Sequence, residues 1–210
     1  MNVLRTKRRK VSSAVYVQGA KLDSIIGPLP GDESVYKLVS FSNLTAAGFL
    51  RYVADRAVIR RLDVSTFRIG PSALRQLRQL ADSGRLLEAR FVVGQIMRRD
   101  KRKASAVAYW DNLTALCRQY GWQAASRDNH TKLALFDTDC GKFVLEGSCN
   151  LNEAPNWEQF SFCRDHALYD FYRSVLDEML SDRYAGEKQV QVTAEEQPES
   201  GGWIKMPSLF

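Results

Sequence analysis

An α/β fold, in which one layer of strands is flanked by helices, is what this sequence predicts, and three observations carry that expectation. Between residues 35 and 94, strand-like and helix-like segments follow one another in alternation, the pattern of a sheet built with crossover connections. Further on, two apolar strand-like segments are joined by a turn-rich stretch and read as an antiparallel hairpin. At 210 residues, 45% of them hydrophobic, the chain is long enough to bury one full core with short appendages, so a single domain is expected.

The elements follow in order. Val35-Tyr36-Lys37-Leu38-Val39-Ser40-Phe41 reads as a strand. From Leu44 to Ala57 the apolar residues Phe49, Leu50, Val53, Ala54 and Val58 (just beyond) fall at helical spacing without a proline. Arg60 to Arg68 returns to alternation through Leu62, Val64 and Phe67. Gly70-Pro71-Ser72 then marks a helix start, carried by Leu74, Leu77, Leu80 and Leu87 to Gly84 and beyond. Leu87 to Gly94 is strand-like again. Val107 to Tyr120 places Trp110, Leu113 and Leu116 on one helical stripe, and Gly121-Trp122-Gln123-Ala124-Ala125 reads as a strand that feeds the hairpin. A last helix, Leu168 to Leu180, offers Leu168, Phe171, Tyr172, Val175, Leu176 and Met179 to the core.

Charge divides the chain. Residues 1–105 carry 21 Lys and Arg against 8 Asp and Glu, and residues 106–210 carry 9 against 16, so a net +6 hides halves of +13 and −7. Such separation suggests a polyanion-binding surface built from the first half. Two dense basic runs stand out, Arg5 to Lys10 (with Arg8, Arg9 and Lys10) and Arg98 to Lys103 (with Arg98, Arg99, Lys101, Arg102 and Lys103); the plainer reading is solvated surface charge. No stretch reads as a signal peptide or approaches the ~20 apolar residues of a membrane span, so a soluble, cytoplasmic protein with no membrane partner is expected. The four cysteines, Cys117, Cys140, Cys149 and Cys163, form no Cys-x2-Cys pair. Cys163 and His166 have ligand-like spacing on an expected helix, but two groups do not make a metal site.

The chemistry concentrates in one region. Two histidines exist in the chain, and His130 stands two positions before Lys132 at the head of the apolar run Leu133-Ala134-Leu135-Phe136. On extended backbone the two side chains point to one face. Phe143-Val144-Leu145-Glu146-Gly147-Ser148-Cys149-Asn150 repeats the arrangement with Ser148 and Asn150. Folded as a hairpin around Thr138 to Lys142, these segments line one pocket with an imidazole, an ammonium, a hydroxyl and a carboxamide. Those are the groups a phosphodiester needs, one to attack phosphorus and several to hold its oxygens.

His130-x-Lys132 with Asp137, followed by Gly147-Ser148-x-Asn150, resembles the signature of the phospholipase D superfamily of phosphodiesterases. Asn156-Trp157-Glu158 resembles the Asn-x-Glu that follows the signature in that family's small nucleases. The spacing departs from the family in one place: nine residues separate Asp137 from Gly147, more than is common there, and the excess falls in the hairpin turn. The resemblance spans roughly residues 35–180, its specific motifs only 130–158. It implies a phospholipase D-like mixed sheet flanked by helices, with the catalytic hairpin inside it. With the polar, acidic and turn-rich composition of residues 186–202, this divides the chain into a basic segment 1–34, a phosphodiesterase domain 35–185 and a flexible acidic tail 186–210. That tail ends in the apolar Trp203 to Phe210, a segment for docking on its own domain or on a protein partner.

The resemblance also implies roles. His130 is the nucleophile that forms a phosphohistidine; Lys132 and Asn150 bind the non-bridging oxygens; Ser148 joins them or orients a neighbour; Glu158 accepts a hydrogen bond from the far nitrogen of His130. Asp137 is of opposite strand parity and is structural, as is Gly147. No cofactor and no metal is called for. The leaving oxygen still needs an acid. His166 has no lysine two places on, so a homodimer in which each chain contributes its His130 is expected. The reading is a metal-independent nucleic-acid phosphodiesterase, an endonuclease acting on DNA ahead of RNA. The alternatives are a nucleic-acid-binding accessory protein of a phage or mobile element with a retained but non-catalytic pocket, and a phosphatidyl transferase or phospholipase.

Overall fold

A computed structural model of the chain describes residues 10–16, 22–32, 34–41, 44–95, 104–151, 156–181 and 191–192. Its elements are β1 (Lys10–Tyr16), α1 (Leu22–Ile26), β2 (Ser34–Phe41), α2 (Ala46–Ala54), β3 (Ile59–Thr66), α3 (Pro71–Asp82), β4 (Leu86–Gly94), α4 (Ala104–Tyr120), β5 (Gln123–Arg127), β6 (Leu133–Thr138), β7 (Gly141–Gly147), β8 (Trp157–Arg164), α5 (His166–Leu180) and β9 (Gln191–Val192). Among the described residues the strands form one nine-stranded mixed sheet, in the order β1-β2-β8-β7-β6-β3-β4-β5-β9.

The crossover pattern read from the sequence holds for β3, β4 and β5, which pair in parallel. It does not extend back to β2. The antiparallel block β8-β7-β6 stands between β2 and β3, joined to each by antiparallel pairing. The expected hairpin is β6–β7, closed by a tight Asp139-Cys140 turn, and it lies near the middle of the sheet. Both of its faces are covered, which is why Ala134-Leu135-Phe136 and Phe143-Val144-Leu145 are unbroken apolar runs instead of alternating ones.

On one face, α2, α3 and α4 pack Phe49, Leu50, Val53, Leu74, Leu77 and Leu113 onto Leu62, Phe136, Phe143 and Phe162. On the other lies α5, with Tyr169, Leu176 and Leu180 over Val92, Leu135 and Val144. Of the residues expected on this face, Leu168, Tyr172, Leu176 and Met179 do pack against the core, but the face is centred nearer Tyr169. Tyr169 is fully buried while Val175 is exposed, because Asp165 caps the helix by accepting from the Leu168 N–H and so sets its entry. An ion triad also fixes α5: Arg90 grips the buried Asp63 with two bonds, Nε–Oδ1 2.6 Å and Nη2–Oδ2 2.8 Å, and reaches Asp177 of α5 at 2.5 Å.

Three strands depart from the sequence reading. β8 begins within the Asn-x-Glu motif; only its second half, with Phe160 and Phe162 inward, alternates cleanly. β1 and β9 come from the stretches assigned to the basic lead and the acidic tail, and they pair with β2 and β5. Both are edge strands, hydrogen-bonded to a neighbour on one side only. The expected Cys163/His166 helix pair is also absent: Cys163 is buried in β8, and exposed His166 opens α5. Among the described residues no helix is long and apolar enough to cross a membrane.

Candidate active site

β3, β4 and β5 run in one direction and β6 runs back, so the carboxyl ends at Thr66, Gly94 and Arg127 meet the start of β6 at Leu133. The same alternation brings the end of β7 and the start of β8 to this edge. In α/β sheets ligands bind outside the carboxyl ends of the parallel strands, and here the motif residues gather there. His130 and Lys132 lie in the segment just before β6, and Ser148 and Asn150 just after β7, so none of the four is within a strand.

Lys132 Nζ stands 3.0 Å from His130 Nδ1 and donates to the His130 carbonyl at 2.6 Å. The Phe67 ring lies beside the imidazole, 4.7 Å between centroids at 47°, and the Lys132 ammonium is 5.8 Å from the Phe67 centroid. Partial burial lowers the Lys132 pKa, and the Glu158 carboxylate nearby acts in the opposite direction. Glu158 itself accepts a hydrogen bond from the Ser148 hydroxyl. The expected Glu158–His130 bond is therefore replaced by Glu158–Ser148, and the imidazole's companion is Lys132. The Ser148 oxygen in turn accepts from the Gln159 N–H at 3.0 Å, so it is held by both ends of the β7–β8 junction. Asn150 sits on the β3 side, its Oδ1 3.5 Å from the Thr66 hydroxyl.

Gly147 is required by close approach. A Cβ there would stand 3.0 Å from both the Gln159 carbonyl and Phe160 Cδ1, and the Gly147 N–H closes the junction by donating to the Lys132 carbonyl at 3.2 Å. Asp137 lies at the far end of β6, bonded to Arg60 at 3.0 Å. A pocket lined by Ala46, Ser65, Thr66, Lys132, Gly147 and Cys149, among others, opens under the site. Burial pushes the Cys149 thiol up to about 11, so it is a neutral wall of that pocket. The basic runs, apart from Lys10 in β1, and the apolar segment Trp203 to Phe210 lie outside the described residues.

The sequence reading missed the support of the His130 segment. Asn129, 5% exposed, donates through Nδ2 to Ser65 Oγ at 2.9 Å and toward the Val92 and Thr66 carbonyls at 3.3 and 3.5 Å. Its Oδ1 accepts from the Thr131 N–H at 2.9 Å and the Thr131 hydroxyl at 2.8 Å. Ser65 and Thr131 close the ring at 2.5 Å. The available signal was modest: a carboxamide immediately before the motif, and small hydroxyl residues at the end of a predicted strand.

No protein-family model matches the chain, and no curated protein matches it in sequence. Solved structures do. The phospholipase D family member Nuc from Salmonella typhimurium superposes with a TM-score of 0.51 at 14% identity, over 69% of this chain and 93% of that one. A phosphatidylserine synthase from Haemophilus influenzae gives 0.51 at 16% identity, over 79% of this chain and 41% of that one. The polyphosphate kinase of Porphyromonas gingivalis gives 0.50 at 15%, over 69% and 26%. The chain thus spans nearly all of Nuc and less than half of the other two. What these likenesses show is the fold, and it is the phospholipase D fold.

Proposed function

We propose that this chain, with its phospholipase D fold, is a phosphodiester-cleaving enzyme of that type, acting on nucleic acid without a metal ion and as a homodimer. The observation that carries the reading is the convergence of His130, Lys132, Ser148, Asn150 and Glu158 at one sheet edge from two separate junctions of the chain, β5–β6 and β7–β8.

In the first step an imidazole nitrogen of His130 attacks phosphorus, a P–N bond forms, and the P–O bond to the leaving alkoxide breaks. Nδ1 faces Lys132 in the free enzyme; once the ammonium turns to the phosphate, the tautomer with its proton on Nδ1 frees the Nε2 lone pair to attack. A bound phosphate offers the ammonium a better acceptor, so Lys132 turns to the phosphoryl oxygen, with Asn150, as negative charge develops there. The alkoxide takes a proton from the His130 of a second chain. In the second step water attacks phosphorus, gives its proton back to that histidine, and releases His130. Nucleic acid is favoured as substrate by the excess of basic residues in the first half of the chain.

The test is cleavage of labelled DNA and RNA in EDTA, with acid-labile label trapped on His130. Activity in EDTA that is lost in His130→Ala supports the reading. Activity that requires magnesium would overturn it, and tight binding without turnover would point to an accessory protein.

A further inference from the structure

Beside the reacting groups, one cation remains unassigned. Arg51, Arg56, Arg60, Arg61, Arg90 and Arg164 are each paired with a carboxylate. Arg68 is exposed, and among the described residues no carboxylate pairs with it. Its guanidinium carbon stands 5.4 Å from the centroid of the Phe67 ring, the same ring whose centroid lies 4.7 Å from that of His130. Phe67 thus has the imidazole and two cations, Arg68 and Lys132, around it.

The turn that carries Arg68 is anchored. The Thr66 hydroxyl donates to the Arg68 carbonyl at 2.9 Å and accepts from the Leu151 N–H at 3.2 Å. Ile69 bridges to Leu151, and the Gly70 N–H donates to the Leu151 carbonyl at 2.7 Å. Gly94 admits the Phe67 ring: a Cβ there would lie 2.6 Å from Phe67 Cδ2 and 2.7 Å from the Phe67 carbonyl. A planar guanidinium on a fixed turn, beside an aromatic face and one ring from the nucleophile, is suited to a phosphate oxygen pair.

We infer that Arg68 forms a second phosphate subsite, which holds the phosphate adjacent to the one that His130 attacks, with Phe67 as the apolar floor between them. The inference rests on the nucleic-acid reading above and deepens it, since it makes the substrate an oligonucleotide that spans at least two consecutive phosphates. An isolated phosphodiester would leave Arg68 idle. The partly exposed aromatic at the same place favours a base-bearing strand over bare polyphosphate, because every base offers a face to stack on it.

The experiment uses the full chain and a short labelled oligonucleotide with one cleavable linkage. The two flanking phosphates are replaced, one at a time, by neutral methylphosphonate. With the native oligonucleotide, Arg68→Ala should lower kcat/KM by roughly 10–100-fold, the loss expected of one charged hydrogen-bonded contact. With methylphosphonate at one of the two flanking positions, the wild-type enzyme should show a similar loss and Arg68→Ala almost no additional one. Arg68→Lys should recover part of the rate. An equal Arg68→Ala loss on native and neutral oligonucleotides, or no loss at all, would overturn the inference. A preference for polyphosphate over oligonucleotide as a competitor would do the same. A wild-type enzyme that cleaves no oligonucleotide would instead overturn the nucleic-acid reading.

Discussion

Asn129→Ala should damage stability and turnover together, and the size of both effects can be worked out. The side chain is 5% exposed, and three of its bonds, to Ser65 Oγ and from the Thr131 N–H and hydroxyl, are 2.8–2.9 Å long. At about 1 kcal/mol net for each, the substitution should cost about 3 kcal/mol. The cost stays near that figure because Thr131 is exposed and can turn to water, while Ser65 keeps Thr131 as a partner. Urea unfolding followed by fluorescence reads this as a lower midpoint at unchanged slope. The segment that bears His130 would then be tied only by the Ser65–Thr131 bond and its backbone, and a misplacement of about 1 Å at a nucleophile can cost ~100-fold. A large fall in kcat with little change in KM is therefore expected. A stability loss under about 1 kcal/mol, or kcat within a factor of two of wild type, would show that Asn129 does not position the segment.

Other outcomes are equally definite. Gly94→Ala forces a methyl group into Phe67 and the Asn129 carbonyl and should cost ~1–3 kcal/mol in chemical denaturation, with lower activity. Asp63→Ala strands the Arg90 guanidinium in the sheet while Asp177 remains its partner, and a loss of ~3 kcal/mol is expected in thermal or urea unfolding. Burial lowers the Lys132 pKa, so the free enzyme loses its ammonium as pH rises through a value below that of an ordinary lysine. The alkaline fall in kcat/KM should begin correspondingly early, and Lys132→Arg, which keeps its charge, should remove that limb.

What could be read from the sequence, and what could not, follows from the range over which each signal acts. The elements from β2 to α5 are dominated by local periodicity, so Val35–Phe41, Leu87–Gly94 and the β6–β7 hairpin lie close to where the pattern put them. The order of strands in the sheet is set by pairing between distant segments, and nothing local in β2 announces β8 as its neighbour. Edge strands β1 and β9 pair along one side only, and β9, at two residues, is too short for a periodicity to be read. At the site, residue types and spacing pointed to His130, Lys132, Ser148 and Asn150, and the family resemblance to Glu158; the fold brings the five to one edge of the sheet. The partners were not legible: whether Glu158 meets His130 or Ser148 depends on the β7–β8 junction. Asn129 left only a modest signal, and the setting of Phe67 and Arg68 left none, because their neighbours are fixed by the ends of β3, β4 and β6 coming together.

The central antiparallel block also governs the order in which the chain can assemble. β3, β4 and β5 can pair as soon as they exist, but β2 has no partner toward the middle of the sheet until β8 arrives more than a hundred residues later. Closure of so long a loop is slow, and until it happens the facing edges of β2 and β7 present unpaired backbone to any other strand. The hydroxyl and carboxylate of Ser148 and Glu158 meet only when β8 docks. A chain arrested before that event would hold the imidazole and the ammonium but not the Ser148–Glu158 pair beside them.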